Sequence, residues 1–252
     1  MSELAVNGFR LLIFVAAHDL HKPLRKVQSF GDRLKLKYTD FLPEDGHRYI
    51  ERMRSSAQRM QMLIDDLMNY SRVGTQGGSF VSVDMNKVVR GVVSDLEETI
   101  SNAGAMVEIG DLPTIDANQT QRRQLLQNLI SDGLKFRRQD VQPVVSIVAS
   151  SLDRSELDQT DRTLGIGQCE IVVKDNGIGF ETKHSEYIFE EFKRLHGANK
   201  YDGSGIGLSI CRRIVERHIG RISAVGCPGE GAEFCISLPV QQAKQEVAYE
   251  SA

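Results

Sequence analysis

Residues 172–180 read Val-Val-Lys-Asp-Asn-Gly-Ile-Gly-Phe, an apolar strand that runs directly into a turn with two glycines. The strand is predicted over Glu170–Val173. Asp175 stands near the end of this strand, and a carboxylate there can accept a hydrogen bond from an exocyclic amine such as that of adenine. Pairs of glycines also occur in turns that bind nothing, so this stretch alone leaves both interpretations open.

A second glycine motif, Gly-Ser-Gly-Ile-Gly-Leu at 203–208, leads directly into a helix predicted over 206–217. It lacks the G-x-G-x-x-G spacing of a dinucleotide fingerprint, and no βαβ unit follows it. Small residues at a helix N-terminus still let backbone N–H groups approach a phosphate, and the Ser204 hydroxyl can add a donor. The motif favours a phosphate-binding loop, with a plain turn as the alternative.

A third motif lies on a helix predicted over Gln119–Phe136. Asn128, Asp132 and Lys135 occupy positions i, i+4 and i+7, so they project from one face of this helix. Two oxygen ligands and a cation on one face suit Mg²⁺ and a triphosphate. A solvated polar face is the alternative interpretation.

The elements around these motifs are a mixture of strands and helices. A further helix is predicted over Met85–Ile100. Further strands are predicted over Phe80–Val83, Ala105–Ile109, Val144–Ala149, Arg221–Val225 and Ala232–Leu238. Helices beside a sheet rich in antiparallel pairs predict an α+β two-layer sandwich for residues 76–240. The polar tail at 241–252 is predicted to be disordered.

Residues 1–75 show another pattern, because apolar residues recur every three or four positions along two long stretches. Pro43, followed by Glu44 and Asp45, is typical of the start of the second helix. A lone hairpin of helices roughly 45 Å long leaves much of its apolar stripe uncovered. Two copies packed as a four-helix bundle cover that stripe, so the pattern predicts a homodimer. Residues 74–79 have linker composition and mark the domain boundary.

His18 and Asp19 precede Pro23 inside the first of these helices. The proline removes one backbone hydrogen bond and crowds the carbonyl of Asp19, so a distortion is expected one turn after His18. An imidazole there, beside a carboxylate that fixes its tautomer and takes a proton, is a candidate nucleophile. The alternative is a surface histidine near an unrelated proline, and His21 is interpreted in that way.

Composition excludes several classes of function. The chain of 252 residues has 31 Lys and Arg against 34 Asp and Glu, and the two signs are interleaved, so no nucleic-acid-binding surface is expected. No run of 18 apolar residues occurs, so no membrane span is predicted and a cytoplasmic location is expected. Four scattered cysteines form no C-x-x-C pair, which favours reduced thiols over a zinc site.

The motifs occur in the order His-Asp-x-x-x-Pro, Asn-x-x-x-Asp-x-x-Lys-Phe, Asp-x-Gly-x-Gly and Gly-x-Gly-x-Gly-Leu. This order resembles the H, N, G1 and G2 boxes of the sensor histidine kinases, and Ile188–Phe192 stands where that family has its F box. The resemblance covers residues 10–240, and the stretch 188–222 is most similar to phytochrome-type and PAS-linked kinases of cyanobacteria and related bacteria. It implies a dimerisation and phosphoacceptor hairpin, followed by an ATP-binding domain of the Bergerat (GHKL) fold.

The resemblance implies a role for each motif. His18 is the implied phosphoacceptor, and Asp19 is its orienting base. Asn128 and Asp132 are the implied Mg²⁺ ligands, with Lys135 near the phosphates of ATP. Further implied ATP contacts are Asp175 at the adenine amine, Gly177 and Gly179 at the adjacent wall, and Gly203, Ser204, Gly205, Gly207 and Leu208 at the phosphates. The segment 181–202 is the implied ATP lid, packed down by Phe189 and Phe192.

The implied reaction is autophosphorylation of His18, followed by transfer of the phosphoryl group to an aspartate of a response-regulator receiver domain. Since no sensor domain precedes the hairpin in this sequence, either the chain is a fragment or its signal comes from a separate sensor protein.

Three residues depart from the family pattern. Asp132 replaces the second asparagine of the N box, and its charge beside a triphosphate predicts weakened ATP affinity. Gly133 replaces an alanine and costs roughly 1 kcal/mol in a helix interior. Lys22 replaces a Thr or Asn implicated in dephosphorylating the regulator, so phosphatase activity is left open. Two alternatives stand: a dimeric scaffold impaired in ATP turnover, and another GHKL-type ATPase, which leaves His18 and Pro23 unexplained.

Overall fold

The structure is a computed structural model that describes residues 3–73, 80–152, 167–195, 201 and 203–241. The chain divides into two units. The first comprises Met1–Gln76 and Glu190–Ile210, and the second comprises Gly77–Phe189 and Cys211–Ala252. The predicted linker at 74–79 and the tail from 242 onward lie outside the described residues.

Two long helices dominate the first unit. They are α1 (Glu3–Tyr38) and α2 (Glu44–Val73), joined through a 3₁₀ turn at Thr39–Phe41. α1 continues through Pro23 as one helix. The predicted helical hairpin is therefore confirmed. Within the described residues, neither these helices nor the others combine the length and hydropathy needed to cross a bilayer.

Polar contacts join α1 to α2, including an ion pair between Lys35 and Glu51 at 3.3 Å. The guanidinium Nη2 of Arg54 lies 2.6 Å from Oδ1 of Asp32, and Nε2 of His21 lies 3.4 Å from Oδ1 of Asp65. His21 is thus half-buried against α2 and is not the plain surface histidine that was expected.

The hairpin leaves much of its apolar stripe in contact with solvent. The apolar side chains buried in it include Ala17, Leu24, Ile50 and Ala57. Its exposed apolar side chains include Leu20, Phe30, Leu34, Tyr49, Met53, Met60 and Leu63. Phe30 keeps 59% of its surface exposed and Tyr49 keeps 61%, so these large apolar side chains are not packed within the single hairpin. One copy of the hairpin therefore does not cover the stripe.

The second unit is an α/β domain. Its strands are β1 (Val81–Asp84), β2 (Met106–Ile109), β3 (Thr114–Ala117), β4 (Val144–Leu152), β5 (Gln168–Asp175), β6 (Arg221–Cys227) and β7 (Gly231–Pro239). Its helices are α3 (Met85–Asp95), α4 (Glu97–Ala103), α5 (Gln119–Lys135) and the part of α6 (Gly207–Arg217) that follows Ile210. Five strands form a sheet in the order β2-β4-β5-β7-β6, in which the β2–β4 pair is parallel and the other three pairs are antiparallel. β1 pairs with β3 antiparallel.

The core lies between this sheet and the helices. Side chains that α5, α6 and the strands bury completely include Leu126, Ile130, Val145, Ile147, Ile171, Ile214, Val215 and Ile236. The strands alternate buried and less buried positions, as expected for a sheet covered on one face. The predicted α+β sandwich is therefore confirmed.

The structure differs from the predicted elements at two places. A single helix over Met85–Ile100 is wrong, because Leu96 leaves the helical region with φ −95° and ψ 5° and separates α3 from α4. β3 was not predicted at all. It is four residues long and buries only Ile115 and Ala117, so its alternating pattern is too short to be distinguished in a sequence.

His218, directly after α6, is a neutral buried side chain that holds two elements together. Its Nδ1 donates to the carbonyl of Ile214 at 2.7 Å, and its Nε2 accepts from the backbone N–H of Asn118 at 3.1 Å. Burial, together with the nearby guanidinium of the buried Arg122, lowers the pKa of His218 to about 3.

The second unit is expected to lose stability in mild acid because of His218. Above pH 6.5 the imidazole is neutral in both the folded and the unfolded chain. Between pH 6.5 and 3 only the unfolded chain takes up the proton, so the free energy of unfolding should fall by at most about 1.4 kcal/mol per pH unit. Urea unfolding at several pH values measures this slope. A His218→Gln variant should have a shallower slope, and equal slopes would contradict the assignment.

Candidate nucleotide site and phosphoacceptor helix

Asp175 ends β5, and the backbone anchors one of its carboxylate oxygens. Oδ1 accepts hydrogen bonds from the N–H of Gly177 at 2.8 Å and from the N–H of Ala232 at 3.3 Å. Burial raises the pKa of this carboxyl group, while the two N–H groups lower it. Within the described part of the chain Oδ2 has no hydrogen-bond donor, so this oxygen can accept from the amine of a ligand.

The turn after Asp175 forms a wall with no room for side chains. A Cβ atom at Gly177 would lie 2.4 Å from the carbonyl oxygen of Phe136. Gly179 has φ +62°, and a Cβ atom there would lie 2.0 Å from the carbonyl oxygen of Cys227. The turn is therefore held between the end of α5 and the β6–β7 turn.

α5 contributes the second polar group of the site. Asn128, Asp132 and Lys135 are half-buried, whereas the apolar positions of the helix are buried. Nζ of Lys135 lies 3.9 Å from Oδ1 of Asp132. The helix begins at Asn118, whose side chain accepts from the N–H of Gln121 at 3.1 Å and so caps the first turn. The three residues lie together on a partly accessible face, as their spacing predicted.

Gly133 brings α5 close to Asp175. A Cβ atom at this position would lie 2.9 Å from Cγ2 of Val145 and 3.2 Å from Cβ of Asp175. The departure from alanine therefore has a structural reason, because glycine lets the helix approach β4 and β5 more closely. This contact brings the helix that carries Asp132 close to the strand end that carries Asp175.

Gly133→Ala is expected to destabilise the second unit by about 1 kcal/mol. Alanine gains about 1 kcal/mol in helix propensity, but overpacking against Val145 costs about 1–3 kcal/mol. A Val145→Ala background removes the closest contact, at 2.9 Å, and leaves the one with Cβ of Asp175 at 3.2 Å, so the same substitution should cost less there. Urea unfolding of the four proteins in this double-mutant cycle measures both effects. A substitution that stabilises the wild-type background, or that costs the same in both backgrounds, would refute the close-approach explanation.

Cys211 on α6 contacts α5 at Asn128, and the sequence did not indicate this contact. Its thiol lies 3.9 Å from the carbonyl oxygen of Leu125 and is hydrogen-bonded to the side chain of Asn128. Burial, and then the nearby carboxylate of Asp132, raise the pKa of Cys211, so it remains a thiol. Cysteine spacing gives no signal for this role because the partners of Cys211 are distant in the chain.

Asn176 is a further site residue that had no predicted role. Its Oδ1 accepts from the N–H of Val144 at 2.8 Å, and its Nδ2 donates to the carbonyl of Gln142 at 2.9 Å. These bonds tie the start of β4 to the end of β5 and so position Asp175. The Asp-Asn-Gly-Ile-Gly motif contained this signal, but an amide in a turn does not reveal which strand it joins.

The second glycine loop, Gly203–Leu208, belongs to the first unit. Gly203 and Gly205 have φ values of 141° and 77°, and α6 begins at Gly207, with Leu208 in its first turn. The hydroxyl of Ser204 accepts from the N–H of Ile206 at 3.2 Å and donates to Oδ2 of Asp66 on α2. The hydroxyl that was predicted to face a phosphate therefore has a protein acceptor in this structure.

The two phenylalanines of the predicted F box behave differently. Phe189 is buried, packs edge-on against Phe234 and lies under the guanidinium of Arg212. Phe192 is 60% exposed and has φ +61°, a left-handed conformation that is uncommon for a non-glycine residue. The prediction that Phe192 packs the segment down is wrong, because the turn at Glu191–Phe192 leaves this side chain in solvent.

His18 and Asp19 lie in α1, one to two turns before Pro23. The side chain of His18 lies outside the described part of the structure, and Asp19 is exposed. Their roles as phosphoacceptor and orienting base stay predictions.

The residues present fit a Mg²⁺ ion that arrives with a nucleotide. Among the residues that the structure describes, no group of three or more His, Cys, Asp or Glu side chains could hold a metal ion. Asn128 and Asp132 supply two oxygen ligands. Mg²⁺ at nucleotide sites commonly takes one or two protein oxygens and completes its shell with phosphate and water.

Two family models match the chain. Residues 10–76 match the "His Kinase A (phospho-acceptor) domain", which covers the hairpin and includes His18. Residues 117–242 match the "Histidine kinase-, DNA gyrase B-, and HSP90-like ATPase", which covers α5 through β7.

The curated relatives of the chain include cyanobacterial phytochromes and a sensory kinase. The chain is 36% identical over 227 residues to phytochrome-like protein Cph1 of Synechocystis sp. and 36% identical over 233 residues to cyanobacterial phytochrome A of Nostoc sp.. These matches cover 90% and 92% of this chain but only 28% and 29% of the relatives. The adaptive-response sensory kinase SasA of Parasynechococcus marenigrum is 30% identical, with 94% of this chain and 58% of SasA covered. The chain thus spans less than a third of the two phytochromes.

Solved structures of other proteins have a fold similar to that of this chain. Full-length ShkA in complex with AMPPNP has a TM-score of 0.66 at 25% identity, with 92% of this chain and 46% of ShkA covered. Histidine kinase AdeS of Acinetobacter baumannii has a TM-score of 0.57 at 16% identity, with 88% and 98% covered, which supports the fold alone.

The fold, the site and the matches together define an ATP-binding domain preceded by a phosphoacceptor hairpin. The chain belongs to the sensor histidine kinases of two-component systems, and its relatives include the cyanobacterial phytochrome-type kinases. The family membership predicted from the motifs is confirmed.

Proposed function

We propose that the chain phosphorylates itself on His18 with ATP as the donor and then passes the phosphoryl group to an aspartate of a response-regulator receiver domain. The observation that supports this proposal is the close approach of α5, at Gly133, to Asp175 at the end of β5, on a chain whose hairpin bears His18. ShkA was solved with AMPPNP, an ATP analogue, which supports ATP as the nucleotide.

The adenine side of the site follows from Asp175. Because the backbone holds Oδ1, Oδ2 is the oxygen that would accept from the exocyclic amine of adenine. Gly177 and Gly179 keep the adjacent wall free of side chains. On the phosphate side, Gly203, Ser204, Gly205, Gly207 and Leu208 would offer backbone N–H groups at the start of α6, where the helix dipole favours anions.

Asn128 and Asp132 would hold Mg²⁺, with Lys135 near the phosphates. The ion would neutralise negative charge on the transferring phosphoryl group. In the reaction, an imidazole nitrogen of His18 forms a bond to the γ-phosphorus, the bond from that phosphorus to the β–γ bridging oxygen breaks, and ADP leaves. Asp19, the next residue in the chain, would accept the proton that the imidazole loses. The aspartate of the receiver then takes the phosphoryl group from the histidine nitrogen.

A homodimer is the second part of the proposal. The exposed apolar stripe of the hairpin supports it, because a second copy in a four-helix bundle would bury the exposed side chains of Phe30, Tyr49 and Met60. The input comes from a sensor domain or sensor protein, which the greater length of the phytochrome relatives supports.

Incubation with Mg²⁺ and γ-labelled ATP tests the kinase activity directly. We expect a label that is labile in acid and stable in alkali, as a phosphohistidine is, and that is absent from a His18→Gln variant. His21→Gln is the matched control on the same helix and should keep the label. Label that survives His18→Gln would mean another acceptor. A dimer that stays unlabelled would favour the scaffold alternative, and phosphate release without labelling would favour an ATPase.

Asp132→Asn is expected to raise ATP affinity about threefold to tenfold. The substitution removes a negative charge beside the triphosphate while keeping an oxygen ligand of the same size. A fluorescent ATP analogue in the presence of Mg²⁺ measures the dissociation constant. Asp140→Asn, an exposed position after α5, is the control for net charge. Weaker binding in the Asp132→Asn variant would mean that its carboxylate is needed for the ion.

A further inference from the structure

Cys211 lies at the contact between α6 and α5, next to one of the two implied Mg²⁺ ligands. Its side chain is completely buried, and its thiol lies 3.9 Å from the carbonyl oxygen of Leu125. The same thiol is hydrogen-bonded to the side chain of Asn128, which is half-buried on α5. The side chain of Asn128 therefore extends from the buried contact to the accessible face on which Asp132 and Lys135 lie.

The direction of these hydrogen bonds determines which end of the Asn128 amide meets the sulfur. A thiol has one proton, and Cys211 donates its proton to the carbonyl of Leu125. Toward Asn128 the sulfur is therefore the acceptor, and the only donor on an asparagine side chain is its Nδ2 amine. The effect on the pKa of Cys211 agrees with this direction. Burial raises that pKa, and the hydrogen bond with Asn128 opposes the rise, as a donor to sulfur does.

The two implied ligands differ in how much they depend on orientation. The carboxylate of Asp132 has two equivalent oxygens, so it presents an oxygen to a cation in either orientation. The amide of Asn128 presents an oxygen in one orientation and an N–H donor in the other, and only the oxygen can bind Mg²⁺. With Nδ2 held by the sulfur, Oδ1 is turned away from the buried contact and toward the accessible face of α5. Groups behind a metal ligand commonly fix its orientation in this way.

We infer that Cys211 is a positioning residue for the ion: its sulfur holds Nδ2 of Asn128 and so presents Oδ1 of Asn128 to Mg²⁺. This inference rests on the proposed function, because it concerns the ion that would arrive with ATP. Cys211 acts only through Asn128, so its substitution should weaken the Mg²⁺-dependent part of nucleotide binding and leave the remainder in place.

Binding of a fluorescent ATP analogue to the full chain, measured with Mg²⁺ and again with a chelator, tests this inference. The ratio of the two dissociation constants is the Mg²⁺ enhancement. Cys211→Ala lets the amide present either end, so it should reduce the enhancement about tenfold, while affinity in the chelator stays as in wild type. Cys211→Ser should keep most of the enhancement, because a hydroxyl can also donate to the carbonyl of Leu125 and accept from Asn128. Urea unfolding shows whether both variants are folded.

Two controls separate positioning from the loss of a buried side chain. Cys169→Ala removes another buried thiol of the same unit, on β5, and should leave the enhancement unchanged. In an Asn128→Asp background the side chain presents an oxygen in either orientation, so Cys211→Ala should change the enhancement far less there. A double-mutant cycle of these two substitutions measures the difference.

Three results would overturn the inference: equal enhancement in wild type and Cys211→Ala, equal losses in the alanine and serine variants, or an equal loss in the Asn128→Asp background. If the wild type binds no analogue, or binds it equally with and without Mg²⁺, the implied metal ligands fail together with this inference. A missing label on His18 despite a normal Mg²⁺ enhancement would count against the proposed kinase activity alone.

Discussion

Replacing Asp175 with asparagine is expected to weaken ATP binding about 100-fold while leaving the fold intact. The amide oxygen can still accept from the N–H groups of Gly177 and Ala232, which directs the amide nitrogen to the position of Oδ2. That nitrogen is a donor, so it would face the adenine amine donor to donor and lose a charge-assisted hydrogen bond of about 1.5–3 kcal/mol. Titration with a fluorescent ATP analogue measures the loss.

The control for Asp175→Asn is Glu170→Gln, which removes a carboxylate from the same strand. It should leave ATP affinity unchanged. The midpoint of urea unfolding should be equal or higher in Asp175→Asn, because burial disfavours the charged carboxylate that the substitution removes. ATP binding within threefold of wild type would remove Asp175 from the adenine site.

Gly179→Ala is expected to cost about 3 kcal/mol of unfolding free energy and to weaken ATP binding. A left-handed conformation costs an L-residue about 1–2 kcal/mol, and here φ is +62°. The added Cβ would also lie 2.0 Å from the carbonyl oxygen of Cys227, so the turn after β5 or the β6–β7 turn must move, at a cost of about 1–3 kcal/mol. Urea unfolding followed by far-ultraviolet circular dichroism measures the sum.

Gly229→Ala separates the cost of the left-handed conformation from the cost of the contact with Cys227. Gly229 also has a left-handed conformation, with φ +80°, but apart from its chain neighbours no atom of the described residues lies within 4 Å of the position of its Cβ. This variant should lose only about 1–2 kcal/mol, and its ATP affinity should stay close to wild type. Equal losses in the two variants would show that the contact with Cys227 adds nothing.

The sequence predicted those parts of the site that depend on the period of a single element. Asn128, Asp132 and Lys135 lie on one face because a helix repeats every 3.6 residues, and Asp175 ends a strand because apolar residues precede it. The long hairpin and its surplus of apolar surface followed from periodicity in the same way. Elements with weaker local signals were missed or misjudged, namely the break at Leu96 and the four-residue strand β3.

Order and spacing of motifs were therefore enough to determine the family and the two kinds of domain. Only the tertiary structure decided which of these residues meet. Several contacts join residues that are far apart in the chain. They are the close approach of Gly133 to Asp175, the hydrogen bond between Cys211 and Asn128, and the hydrogen bond from Ser204 to Asp66. Such contacts depend on how packed elements are positioned in space, and local periodicity carries no information about that.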